Sequence, residues 1–182
     1  MIKKFQTFLF LITLYFYSPS VFANNNTFDE KWGTALSYGI PLFAAGYSAA
    51  IGDFEGDKQL AKVYGGSIVT TYGLKYTIPD RRPNGKPNAF PSGHTSSAFA
   101  GAAYLQDRYG YEFGIPAYLL SSYVGYSRVR TANHYWDDVF VGAAISIAFS
   151  YFITHPYKNK DLTIGLNSIS PKDVGFNLNY RF

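Results

Sequence analysis

Four prolines recur every fourth residue, at Pro79, Pro83, Pro87 and Pro91, with Asn84-Gly85 between them. Proline donates no backbone N–H and its ring clashes with the preceding helical turn, so no helix crosses this stretch. Residues 79–91 therefore read as a stiff, extended loop, with helical patterns on both sides. Upstream, residues 32–51 form a twenty-residue run without charge, rich in Gly, Ala, Ser and Tyr and containing Pro41. Residues 60–76 give a second helical pattern, interrupted by Gly65, Gly66 and Gly73. Downstream, Pro91 suits the first turn of a helix over 92–105, whose small residues Ser96, Ala98, Gly101 and Ala102 permit close packing. Residues 114–126 are uncharged and read as helical after Pro116, and 135–154 begin polar and turn apolar. Five or six helices in 182 residues, enough chain for one core, predict an all-α helical bundle.

The two ends of the chain differ from this body. Lys3 and Lys4 precede an apolar run of about ten residues, with Val21 and Ala23 suited to cleavage before Asn24, so residues 1–23 read as a signal peptide. Residues 24–160 are then the helical domain. Over 161–182 the apolar residues alternate: Leu162, Ile164 and Leu166, then Val174, Phe176, Leu178, Tyr180 and Phe182 around Ser170-Pro171-Lys172-Asp173. That period of two predicts a C-terminal β-hairpin.

Composition narrows the setting. The chain has no cysteine, which excludes disulfides and thiolate metal sites. Removing Lys3 and Lys4 lowers the formal net charge from +4 to +2, yet seven basic residues lie between Lys75 and Arg130. Local cationic character on a weakly charged chain points to a small anionic substrate and away from nucleic acid. Aromatic residues make up 19% of the sequence, which fits either a lipid–water boundary or an aromatic-rich core. A periplasmic domain that touches the membrane is the first expectation and a multi-span protein the second. Oligomeric state is not legible.

Three blocks carry the chemistry: Lys75…Arg82-Pro83, Pro91-Ser92-Gly93-His94, and Ser127-Arg128…His134…Asp138. They supply cations, two histidines, a hydroxyl, a glycine and a carboxylate, which suffice to hold a tetrahedral oxyanion, attack it and protonate what leaves. Singly, each has a plain alternative: a solvated surface cation, a capping histidine, an acid bonded to a nearby ring. His134 and Asp138, four apart at a helix start, share a face, so the carboxylate can fix the imidazole tautomer. Spacing alone does not choose between Arg81 and Arg82. Arg130, Tyr135, Trp136 and Asp137 flank the blocks without an assignable role, and His155 reads as a helix-end residue.

In order and spacing the blocks resemble the type 2 phosphatidic acid phosphatase family, which shares its fold and pocket with bacterial acid phosphatases and vanadium haloperoxidases. Its signature is Lys, six residues, Arg-Pro; then Pro-Ser-Gly-His; then Ser-Arg, five residues, His, three residues, Asp. Every signature position is present between Lys75 and Asp138. Pro-Ser-Gly-His alone arises by chance at about one start position in 10⁵. The resemblance selects Arg82 over Arg81. It implies that His134 is the nucleophile, Asp138 its partner and His94 the general acid and base. It further implies that Lys75, Arg82, Ser92, Gly93 and Arg128 bind the substrate phosphate. Neither metal nor cofactor is expected, since the cations neutralise the charge that a divalent ion would otherwise oppose. The implied activity is hydrolysis of a phosphate monoester or diphosphate, with the aromatic content favouring a lipid-linked substrate: phosphatidic acid, phosphatidylglycerol phosphate, undecaprenyl diphosphate or lipid A. The rivals are a soluble non-specific acid phosphatase, a vanadate-dependent haloperoxidase, and a non-catalytic envelope protein that captures phosphate or mediates an interaction.

Overall fold

A computed structural model describes residues 27–157 in full and the backbone of 162–170 and 173–180; the expected signal peptide over 1–23 lies outside the described residues. The body is a bundle of five helices: α1 (Thr27–Ala50), α2 (Phe54–Thr77), α3 (Gly93–Tyr109), α4 (Tyr111–Arg130) and α5 (Trp136–Ile153). α3 is the central one, packed against all four others. Its run of Ala98, Ala100, Gly101, Ala102 and Ala103 is buried, because side chains this small let neighbouring backbones close in. A Cβ added at Gly101 would sit 2.7 Å from the backbone nitrogen of Pro41 in α1.

Local chemistry explains the boundaries. Asp53 caps α2, its carboxylate accepting from the Gly56 N–H at 3.0 Å, and the helix stops at Thr77 before the proline loop. Gly110, at φ +89, both closes α3 and opens α4, a conformation that favours glycine. α4 thus begins at Tyr111 and runs through Pro116, earlier than the sequence pattern suggests. Pro41 lies inside α1, where its missing N–H leaves the Ser37 carbonyl without its helical partner. Ser97 of α3 donates its hydroxyl to that carbonyl at 2.6 Å.

Polarity is partly inverted: beside an apolar core that includes Ile40, Leu60, Leu105 and Val124, hydroxyls fill much of the interior. Ser37, Ser48, Ser67, Thr71, Ser96, Ser97, Ser146 and Ser150 are buried, and Thr71 donates to Ser96, which pairs with Ser146 at 2.9 Å across three helices. Large apolar side chains face outward: Leu42 is 69% exposed, Val69 73%, Leu119 68% and Phe152 78%. Ionisable acids, bases and histidines keep to the ends of the bundle. None occurs in residues 32–50, 63–74, 95–106, 113–127 or 139–153. At the end away from the signature blocks, Arg108 grips Asp53 through Nε at 2.7 Å and a second guanidinium nitrogen at 2.5 Å, and donates to the His155 carbonyl at 2.6 Å. This clasp ties the start of α2, the end of α3 and the chain beyond α5.

The expected C-terminal β-hairpin is not supported as part of the fold. The backbone of β1 (Leu162–Ser170) runs antiparallel to β2 (Asp173–Tyr180), but among the described residues no helix packs substantially on either strand. An unpacked two-stranded ribbon is marginal in water, and alternation of apolar residues cannot by itself supply the surface a hairpin needs.

Candidate active site

The proline loop makes a tight turn at its centre. Gly85 N–H donates to the Arg82 carbonyl at 2.8 Å and Arg82 N–H to the Lys86 carbonyl at 2.9 Å, with Gly85 at φ +81. Pro83, Asn84 and Gly85 are the residue types such a turn selects. It presents Arg82 inward, while Arg81 lies on the exposed side. The buried Nε of Arg82 has no partner among the described residues. Lys75 is buried behind the loop, its ammonium donating to the carbonyls of Asn88 and Ala89 at 2.9 and 3.1 Å.

α4 ends in a left-handed turn at Ala132 (φ 55), and the N–H of His134 returns to the Arg128 carbonyl at 3.2 Å. Asn84 N–H donates to the Ala132 carbonyl at 3.1 Å, fastening the proline loop to this turn. Asp138, at the third position of α5, has two tasks for one oxygen. Its Oδ2 accepts from the Tyr135 N–H at 2.9 Å, capping the helix, and lies 3.2 Å from Nδ1 of His134. A buried carboxylate at a helix start is favoured by the positive end of the helix dipole.

α3 starts against the same structure. Ser92 N–H donates to the Asp138 carbonyl at 3.0 Å, and a Cβ at Gly142 would lie 2.6 Å from the Ser92 carbonyl oxygen. The helices that carry the two histidine blocks are thereby locked in register. The Ser92 hydroxyl caps α3, accepting from the Thr95 N–H at 3.4 Å and from the Thr95 hydroxyl at 2.9 Å. A Cβ at Gly93 would meet Tyr72 at an ordinary 3.6 Å, so the protein's own packing does not demand glycine there.

One cavity of about 270 Å³ is lined by Arg82, His94, Arg128 and His134, with Glu30, Thr34, Lys86 and Asn133 completing its wall. Lys75, Ser92, Gly93 and Asp138 are not part of this lining; Asp138 holds His134 from behind, and Lys75 holds the carbonyls of Asn88 and Ala89. Of the expected site residues, four thus face one space and four do not. Arg128 is set by α1: its guanidinium donates to the Glu30 carbonyl at 2.9 Å and to the Thr34 hydroxyl at 3.3 Å. Gly33 permits this approach, since a Cβ there would collide with the Ser127 hydroxyl. Sequence reasoning missed the contribution of α1, whose Glu30 and Thr34 belong to no motif; only their spacing of one helical turn hints at a shared face.

Electrostatics favour an anion here. His94 and His134 lie at the charged end, outside the uncharged stretches. Burial, with Arg128, His134, Arg82 and Lys75 nearby, lowers the His94 pKa to about 4. Burial also lowers His134, although Asp138 opposes the shift. Both rings are therefore neutral at pH 7, and the field around them comes from fixed cations. Among the described residues no three histidine or carboxylate side chains gather as a metal-ligand set.

Comparison with known proteins gives a consistent picture. The family model of the PAP2 superfamily matches residues 56–161, more than half of the chain. A lipid A 1-phosphatase of Porphyromonas gingivalis is 38% identical over 77 residues, which are 40% of this chain and 17% of that protein. A probable lipid phosphate phosphatase 4 of Arabidopsis thaliana is 40% identical over 86 residues, 38% of this chain and 28% of its own length. The chain thus spans less than a third of these relatives. LpxE of Aquifex aeolicus, a solved structure, shares the fold with a TM-score of 0.56 at 24% identity, covering 71% of this chain and 88% of that one.

Proposed function

The chain belongs to the PAP2 superfamily, and from that premise we propose that it is a metal-independent phosphatase acting on a lipid-linked phosphate monoester or diphosphate. The observation that carries the reading is the single cavity shared by His94, His134, Arg82 and Arg128, with His134 oriented by buried Asp138.

Asp138 at Nδ1 leaves Nε2 of His134 as the free lone pair. That nitrogen attacks phosphorus in line; a P–N bond forms as the P–O bond to the leaving group breaks. His94 delivers a proton to the departing oxygen, then accepts one from the water that attacks phosphorus and splits the P–N bond. The products are the alcohol, inorganic phosphate and His134 in its original neutral form. Arg82 and Arg128, with Lys75 behind them, neutralise the equatorial oxygens as charge develops. His94 is neutral in the free protein, so the bound phosphate has a second task. Its negative charge offsets the surrounding cations and raises the affinity of the imidazole for the proton it must donate.

The inverted polarity supports a membrane-embedded body over a domain that merely touches the surface. α5 (Trp136–Ile153) is long and apolar enough to cross a bilayer, and α2, α3 and α4, each with a long uncharged stretch, pack against it. Buried hydroxyls that pair between helices, with large apolar side chains turned outward, suit a lipid environment. On this reading the cavity, at the charged end, lies at headgroup depth. It favours a lipid phosphate over the soluble esters of a periplasmic acid phosphatase.

The test is phosphate release by the full-length protein in detergent, with micellar phosphatidic acid against a small aryl phosphate. We expect preference for the lipid, inhibition by orthovanadate, no change with EDTA, and loss of about 10³-fold or more in His134→Ala. Equal efficiency on both substrates removes the lipid preference. A folded His134→Ala protein with unchanged turnover removes the enzymatic reading and leaves phosphate capture without catalysis.

A further inference from the structure

The two cavity histidines are supported unequally. His134 has Asp138 to fix its ring, whereas His94 has no hydrogen-bond or ion-pair partner among the described residues. Its one aromatic contact among the described residues is with Tyr38 of α1, whose ring meets it in a T-shaped arrangement, centroids 6.1 Å apart and planes at 66°. Tyr38 continues a stripe. Glu30, Thr34 and Tyr38 are successive fourth residues of α1, so they share a face; the first two line the cavity, and Thr34 by its hydroxyl and Glu30 by its main-chain carbonyl hold the guanidinium of Arg128. This stripe lies outside the residues matched by the family model.

We propose that Tyr38 is the positioning residue for His94, its ring acting as the wall that fixes the imidazole plane where a carboxylate does so for His134. The inference rests on the proposed general-acid role of His94. An edge-to-face ring contact sets orientation without supplying or removing a charge, and an aromatic pair prefers that geometry. The groups facing His94 from the surrounding elements are Arg128 of α4, His134 of the following turn, Arg82 of the proline loop and Lys75 of α2, with Glu30 of α1 also on the cavity wall. All but Glu30 and neutral His134 are cations, and neither of these two bonds to the imidazole. The ring of Tyr38 is itself 52% exposed, so it stands at the outer side of this contact. It is the contact, not the phenol hydroxyl, that matters: no hydrogen bond from that hydroxyl reaches His94.

The test compares Tyr38→Phe, Tyr38→Leu and Tyr38→Ala in the full-length protein in lipid nanodiscs, by steady-state kinetics on phosphatidic acid and by NMR titration of the His94 imidazole. Tyr38→Phe keeps the ring and should stay within about threefold of wild type in kcat. Tyr38→Ala should lower kcat by about 10- to 100-fold with little change in KM, since a misplaced general acid forfeits part of its effect. It should also raise the His94 titration midpoint toward that of a solvated imidazole. Tyr38→Leu restores bulk without a ring edge and should resemble Tyr38→Ala in kcat. An unshifted titration with unchanged kcat in Tyr38→Ala and Tyr38→Leu overturns the inference. So does a Tyr38→Phe protein as impaired as Tyr38→Ala, which would transfer the role to the hydroxyl. The titration needs no turnover: wild type inactive on every phosphate ester would sink the phosphatase reading, while the midpoint shift alone would still decide whether Tyr38 sets His94.

Discussion

Asp138 joins two kinds of order at one oxygen atom, because Oδ2 serves both the Tyr135 N–H and Nδ1 of His134. Asp138→Asn keeps the shape but presents an amide whose N–H₂ can face the ring, permitting the wrong tautomer. We expect kcat to fall by about 10²-fold or more with the fold retained, measured by turnover and circular dichroism. The His94 pKa, lowered to about 4 by burial and neighbouring cations, has two consequences. In the free protein its NMR titration should be centred near that value, and bound orthovanadate should move it upward, because an anion offsets the cations. The same depression makes the unfolded chain the better proton acceptor. Stability supplied by neutral His94 is complete above about pH 6.5 and declines as pH falls toward 4, which denaturation midpoints across that range would register.

Between elements, fit depends on the smallest groups. Ser97 answers the carbonyl freed by Pro41, so Ser97→Ala leaves a buried acceptor unpaired and should cost about 1–3 kcal/mol, read from denaturant titration in detergent. Gly101→Leu should cost a similar amount, about 1–3 kcal/mol, by forcing α1 and α3 apart. These contacts mark the limit of what the sequence displayed. Prolines at 79, 83, 87 and 91 announced the loop, and uncharged runs announced the helices, because both effects act within a few residues. The signature blocks supplied Arg82, His94, Arg128 and His134 as one group because their order is distinctive. Thr34 and Glu30 at the cavity, and Tyr38 against His94, were hidden, since their place depends on Gly33 letting α1 reach Ser127, a contact across nearly a hundred residues. The alternating tail misled for the opposite reason. Period two describes which sides of a strand are apolar, not whether anything packs there.

Among the described residues, the helical body keeps its charges at its two ends and many bulky apolar side chains on the outside of the middle. Leu119→Lys places a charge at an outward position of the uncharged stretch of α4. In a bilayer we expect a penalty of about 2–3 kcal/mol and weaker retention in the membrane fraction after carbonate washing, against almost no effect on a body surrounded by water. The cavity opens at one charged end, beside Lys86 and Glu30, and not at mid-depth. On the proposed reading, a catalyst so placed would meet its lipid substrate by sideways diffusion in two dimensions, as a fraction of the leaflet. Thinning the leaflet with inert phospholipid should slow it in proportion, while adding buffer to the same vesicles should leave the rate per vesicle unchanged.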